Sequence, residues 1–406
     1  MTATAAISVS TAVRPAGNGL FFPGLIGFFF VFRVCLIFLF FQSNAALGSQ
    51  VSVATTLLLL FGAFLYTSDL SHSNTFRVVQ IRPVRWILAL LAFSCVSLTW
   101  TDASSLFGAF GYWLAMAADV AIVLLLLRRT PDPLPTTEAF FKGSVWAGAA
   151  LSLIAWLTPR TPDLRLGNDT FLHPNTLGLY IATATLIAQY LIPHGVRWKW
   201  LAIGLAVTLL RTFSKTAIFA FIVAEAWYLL QSKQMSRATK LKIVAAALLA
   251  LAAFWGVLNS YLTIYNNTAS GDQAETLTGR TVVWSAALSM GLEKPWLGHG
   301  IFSFKALIPA FGTFEPVHAH NELLQQFFEY GLVGVTIAVG VYYSSYRMAR
   351  SAPAGNLRML ALSLIIFSML RGLTDTVSFG LSYPLWLVTA IAISLSRSNR
   401  FEAGAS

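Results

Sequence analysis

Charged side chains are scarce in this sequence: Asp, Glu, Lys and Arg together make up 11% of 406 residues. A soluble globular chain carries about a quarter. The deficit excludes a water-facing surface over most of the molecule. Cysteine is nearly absent. Cys35 and Cys95 both sit inside apolar runs, so neither a disulfide framework nor a cysteine-based metal site is on offer. Residues 1–19 lack a positive stretch leading into a short apolar core and cleavage site. They read as a small, polar, mobile cytoplasmic end rather than a signal peptide. No internal repeat or low-complexity segment is visible.

What is present is apolar length. Hydrophobic residues make up 56% of the chain and the mean hydropathy is +0.68. Apolar runs recur near the roughly 20 residues needed to cross hydrocarbon, and backbone in lipid must satisfy itself, so the runs read as helices. The expected spans are Leu20–Phe41, Ala46–Tyr66, Arg85–Trp100, Phe107–Leu127, Glu138–Leu157, Pro174–Ile192, Trp200–Leu210, Ser214–Leu230, Lys242–Leu258, Glu322–Tyr343, Leu357–Leu370 and Ser382–Leu395. The fold class is therefore all-α: one integral membrane domain over residues 1–406, with about twelve transmembrane helices. The seventh and eighth runs, parted only by Arg211-Thr212-Phe213, read either as two short spans or as one interrupted helix.

The net charge of +11 would suggest nucleic acid in a soluble protein. Here basic residues collecting in cytoplasmic loops explain it better. With the N-terminus inside and strict alternation, seventeen of the 27 Lys and Arg fall inside, eight fall outside, and Arg33 and Lys142 lie in spans. Both termini are then cytoplasmic. The long polar, Gly-containing segment Asn259–Ala319 becomes one large extracytoplasmic loop, and connections of that length are usually functional.

Topology does not explain four basic residues that fall outside: Arg211, Lys215, Arg280 and Arg371. Arg211 and Lys215 flank a helix break, where a guanidinium fork, an ammonium and free backbone N–H groups suit phosphate; they suit ordinary lipid headgroups as well. Arg280 opens a helical stretch that includes Trp284. His318 and His320 precede a span. Residues two apart do not share a helix face, and no cysteine or close acidic partner completes a metal set, so no metal and no cofactor is expected. His320 beside a helix start suits acid–base work; a hydrogen-bonded interfacial histidine is the plainer reading. Were the helix to include it, His320 would share a face with Leu324, Phe327, Gly331 and Gly334, the glycines admitting a neighbouring helix. Glu322, Gln326 and Glu329 form a polar stripe that should face protein or a wet cavity. Asp119 and Glu225 lie mid-span, with Arg33 as a possible ion-pair partner for one of them. Pro295-Trp296-Leu297-Gly298-His299-Gly300, then Phe302 and Phe304, offers aromatic surface for sugar stacking or for the membrane interface.

Over Leu166 to about Gly340 these motifs, in order, resemble the O-antigen ligase and exopolysaccharide polymerase superfamily of bacterial membrane glycosyltransferases. They run His173-Pro174-Asn175, Ser214-Lys215-Thr216-Ala217, Thr278-Gly279-Arg280 with Trp284, Pro295 to Gly300, His318-Ala319-His320-Asn321-Glu322-Leu323-Leu324-Gln325, and Glu329 to Gly334. The resemblance implies a fold like the C-type glycosyltransferases and a metal-independent transfer of glycan from undecaprenyl pyrophosphate at the periplasmic face of the inner membrane. Carried over, Arg280 binds pyrophosphate and His320 activates the acceptor hydroxyl. Lys215 stands where many members have arginine, which leaves Lys215 or Arg211 for the second pyrophosphate contact. Asp375 is a candidate for an acidic residue near the end. Asn175, Trp296, His318, Asn321 and Glu322 complete the expected substrate-binding set.

The implied partners are the lipid-linked donor, a glycan acceptor and the bilayer, with a chain-length regulator and a flippase as further candidates and no nucleic acid. Polymerase and ligase share a donor and a base. The loop sets Arg280, Lys294 and Lys305 against Asp272, Glu275, Glu293 and Glu315. That balance suits a glycan acceptor of low charge over phosphate-rich lipid A core, so the expectation is a polymerase, with ligase as the alternative. A secondary transporter is the reading from another class; it is opposed by the missing inverted repeat and the long loop.

Overall fold

The computed structural model describes residues 20–41, 45–68, 78–128, 133–158, 165–167, 172–231, 236–242, 245, 249, 263, 278–311, 316–376 and 387–395. These residues are overwhelmingly helical. In chain order come α1 (Phe21–Phe41), α2 (Ala45–Ser68), α3 (Arg82–Val96), α4 (Leu106–Arg128), α5 (Pro133–Leu157), α6 (Pro174–Tyr190), α7 (Val196–Arg211) and α8 (Lys215–Gln231). Then come α9 (Thr278–Gly291), the short α10 (Phe304–Leu307), α11 (Glu322–Ser351) and α12 (Asn356–Gly372), followed by helical residues 387–395. Among the described residues, five helices are long and apolar enough to cross a membrane: Gln50–Ser68, Arg82–Thr99, Leu106–Leu127, Pro133–Leu157 and Glu322–Ser351.

Ten of the expected spans fall on helices; Lys242–Leu258 lies largely outside the described residues, and of Ser382–Leu395 only residues 387–395 are described, as helix. Helix starts carry the signals that proline and polar caps provide. Pro174 opens α6, and the His173 side chain accepts from the Asn175 N–H. The seventh and eighth runs are two helices, α7 and α8, separated by a turn in which Phe213 has φ 49°.

Close backbone approach builds the first half. A Cβ on Gly27 would run into the Phe140 carbonyl, and one on Gly143 into that of Gly24, so α1 and α5 touch main chain to main chain. Between α1 and α4, Arg33 grips Asp119 through both guanidinium nitrogens and also donates to Thr56 Oγ1 of α2 at 2.7 Å. The mid-span Asp119 is thus half of a structural ion pair. Glu225 has a different partner, the side chain of Gln189.

Helix α11 begins at Glu322, as the expected span does, so His320 lies outside it with φ 50° and the shared face conditional on its inclusion does not form. The helix also breaks at Gly331, whose φ is 62°. The Phe328 and Glu329 carbonyls, which an unbroken helix would give to Leu332 and Val333, instead accept from His299 N at 2.9 Å and Gly300 N at 2.8 Å. Leu332 N and Val333 N donate instead to Pro295 O at 2.8 Å and Trp296 O at 3.3 Å. Four backbone groups change partners and none is lost. Left unpaired, each would cost about 1–3 kcal/mol. Gly331 therefore serves a splice with segment 295–300 and not the approach of a neighbouring helix.

The described part of the long loop is ordered by its own small core. Val283 and Ala287 of α9 meet Phe304, Ile308, Ala319 and Phe328. Phe304 is buried and Phe302 packs on Tyr112 at 5.2 Å between ring centroids. Of the expected aromatic surface, Trp296 alone among those three presents an open ring, 68% exposed.

Candidate functional site

The site forms where α12 packs against α6, α8 and α11. His320 lies just before α11, and its Nδ1 is 3.3 Å from Asp375 Oδ1, beyond the end of α12. Asp375 Oδ2 accepts from Arg371 Nη2 at 2.7 Å, and Oδ1 also accepts from Thr376 N at 2.9 Å. Burial works against ionisation of Asp375, but the Arg371 charge and the His320 hydrogen bond outweigh it and hold the carboxyl well below its ordinary range. An ionised Asp375 keeps the His320 proton on Nδ1 and leaves the Nε2 lone pair free to take another.

The His318 ring lies 4.2 Å from the His320 ring, and its Nδ1 accepts from His320 N at 3.3 Å. Burial first, and then the neighbouring His320, pushes His318 down to about 3, so it is neutral at ordinary pH. Ala319, between the two histidines, is held at both backbone groups. Its N–H donates to Gln325 Oε1 and its carbonyl accepts from Trp284 Nε1, each at 2.8 Å. Arg280 lies one helical turn before Trp284, on the same side of α9. A small cavity beside Asp375 is lined by Leu179, Glu322, Tyr342, Ser368 and Arg371. Arg371 is 4% exposed, and its Nε has no hydrogen-bond partner among the described residues.

Other expected residues hold the scaffold. Asn321 caps α11, its Oδ1 accepting from Leu324 N while Nδ2 donates to Leu373 O. Glu322, Gln326 and Glu329 are buried as a stripe. Asn175 Oδ1 accepts from Arg165 Nη2 at 3.2 Å, and Arg165 Nε donates to Thr212 O at 3.0 Å. Arg165 so ties the start of α6 to the turn bearing Arg211 and Lys215. Arg211 lies over the Phe213 ring at 5.6 Å, while Lys215 is exposed. Ser214 and Ala217 pack against Gly178, which gives the Ser-Lys-Thr-Ala run a packing role.

Two residues that sequence reasoning passed over now stand out, Arg165 and Asp102, neither of which had an assigned task. Arg371 had been marked as a basic residue that topology does not explain, without a partner named for it. Asp102 Oδ2 accepts from Lys294 Nζ at 2.6 Å and lies 2.8 Å from His299 Nδ1. Partial burial opposes its charge, but Lys294 and His299 prevail and hold it below the ordinary carboxylate range.

The expectation that no acidic group stands near the histidines is corrected: donor atoms of His318, His320 and Asp375 all lie within 4.8 Å of one another. The acid comes from 55 residues away, beyond the reach of spacing arguments. A cation there would meet the Arg371 guanidinium on the same carboxylate, which opposes occupancy.

The family profile described as O-antigen ligase matches residues 200–339. A protein of Pseudomonas aeruginosa named O-antigen ligase is 26% identical over 337 residues, covering 78% of this chain and 79% of the relative. The matched stretch holds α9, the splice and His320, and together the profile and the relative support the O-antigen ligase superfamily as the family of this membrane protein.

Proposed function

We propose that the chain is a membrane glycosyltransferase that moves a glycan from an undecaprenyl-pyrophosphate carrier to an acceptor hydroxyl, acting as an O-antigen ligase with lipid A core as acceptor. The carrying observation is His320, pinned through Nδ1 by an Asp375 that Arg371 holds charged, with Nε2 left as a base. In this reading the acceptor hydroxyl gives its proton to Nε2 as its oxygen attacks the sugar carbon. The bond from that carbon to the pyrophosphate oxygen breaks, and the charge on the leaving group falls to Arg280 and to Arg211 or Lys215. Asn175, His318, Asn321 and Glu322 support this arrangement from the scaffold, and the open Trp296 ring offers sugar contact. The reaction lies at the periplasmic face of the inner membrane, with both termini cytoplasmic, about twelve spans and no metal.

The ligase reading replaces the polymerase expectation because the relative across most of the chain is named for ligation. Polymerisation remains the second reading. It draws support from the outer loop, where Lys294 is already engaged by Asp102, further lowering the free positive charge for a phosphorylated acceptor. Purified protein with carrier-linked glycan and lipid A core should yield glycosylated core and release the carrier pyrophosphate. Longer carrier-linked chains formed without any core would transfer the assignment to polymerase. His320→Ala and Arg280→Ala should each lower transfer about a hundredfold or more; near-normal product from either removes that residue from the mechanism.

A further inference from the structure

We infer that Gly298 and Gly331 are positioning residues for His320, acting through the splice between segment 295–300 and the break in α11; this rests on His320 as the base. The two glycines interlock. A Cβ on Gly298 would strike the Glu329 carbonyl and Tyr330 N, and one on Gly331 would strike the Trp296 carbonyl and Leu297 N. Both have positive φ, 65° and 62°. Any side chain at either position therefore pushes the two backbones apart and strains its own.

The splice fixes the short forward part of α11, residues 322–330, separately from the long part that follows. From there a chain of contacts runs to the base. The Glu329 carboxylate accepts from Phe302 N and from Gln325 Nε2, the latter at 3.0 Å. Gln325 Oε1 then holds Ala319 N at 2.8 Å, and Trp284 holds Ala319 O. With both its polar groups claimed and its methyl fully buried, Ala319 has no freedom to turn. The next residue, His320, is thereby kept at φ 50°, a conformation that non-glycine residues seldom adopt. His299, stacked on Phe328 at 4.9 Å and bound to Asp102, locks the inserted segment from its other side. The tight motif 295–300 thus works at a distance: it sets where the base points.

The test compares the purified full-length enzyme with Gly298→Ala, Gly331→Ala and Gln325→Ala, using carrier-linked glycan and lipid A core. Displacing a reacting group by about 1 Å costs roughly a hundredfold in rate, so kcat should fall by about that factor while KM for the donor stays unchanged. The acid limb of the pH–rate profile should also move, because the distance from His320 to Asp375 changes. Gly111→Ala and Gly204→Ala, where an added methyl meets open space, should match the parent enzyme. Gln325→Ala leaves the splice intact and serves if the glycine variants do not accumulate. Wild-type kcat in Gln325→Ala, or in either folded glycine variant, overturns the inference. His320→Ala separates the two levels: full activity there sinks the base itself, whereas an inactive His320→Ala beside an active Gly331→Ala sinks only the positioning.

Discussion

Asp375 shows how much of this site rests on single contacts. Its two oxygens divide their work, one toward His320 and one toward Arg371. Asp375→Asn keeps the size of the side chain but loses the charge that holds the His320 proton on Nδ1. Transfer should drop by about a hundredfold or more, read as kcat at constant protein level; retention of activity would show that the tautomer is set elsewhere. His318 gives a pH prediction. Its folded pKa lies far below the ordinary value, so the unfolded chain binds a proton that the folded chain refuses. The stability from neutral His318 is complete above about pH 6.5 and is lost as pH falls toward 3. Asp375, also depressed, adds its own loss only below about 3.8. Thermal unfolding followed between pH 7 and 4 should therefore show a decline that His318→Gln removes; an unchanged slope would mean that the half-buried ring is not held neutral. The order of motifs singled out His320, Arg280 and Asp375 as candidates through their resemblance to a family, and the structure brings two of them, His320 and Asp375, together. The Arg371–Asp375–His320 connection was not legible in the sequence, because its ends come from different helices. Arg371 had left one signal, as a cation on the wrong side for topology to explain.

Elements were legible where composition governs them and illegible where a distant segment overrides it. Pro133 and Pro174 begin α5 and α6, as proline at a first helical turn does. Glycine permits the break at Gly331 but does not dictate it, since Gly334 and Gly340 lie in the same helix without one. The break exists because 295–300 supplies replacement partners for four backbone groups. Mid-span charges tell a related story. Arg33 and Asp119 are little exposed and bidentate, so removing one strands the other. Asp119→Ala should cost about 3–5 kcal/mol of stability, whereas Arg33→Met combined with Asp119→Leu should recover most of it. Thermal unfolding in detergent of the single and paired variants measures the difference. A single variant as stable as the parent would show that the pair contributes nothing.

At the scale of the whole molecule, segments that the alternation assigns to one side are those that meet. Residue 102 touches 294 and 299, residue 165 touches 175 and 212, and residue 320 touches 375. Charge bias assigns these segments to one side as an expectation, because lysine and arginine counts survive ignorance of the fold. It could not supply the pairing of those segments. Reporter fusions at Ser270 and at the C-terminus should read opposite sides; a reporter at Ser270 active only in the cytoplasm refutes the arrangement. Transfer should also survive EDTA, since Arg371 already neutralises the carboxylate that a cation would need. Loss of activity with chelator and recovery with added magnesium or manganese would overturn the metal-free mechanism.

The ties at Asp102, Arg165 and Asp375 bear on how such a protein can be recombined. All three lie outside residues 200–339, the stretch that the family profile matches, and each grips a residue within it. A chimaera that imports 200–339 from a relative therefore opens a seam at each of these ties, and at others such as Thr101 to Ile301 and Asn321 to Leu373, where the two ends of a hydrogen bond now have different parents. Exchange of that block alone would join a foreign His299 to the host Asp102, and a foreign base to the host Asp375. Transplanted specificity should consequently travel with a set of scattered positions rather than with one contiguous cassette.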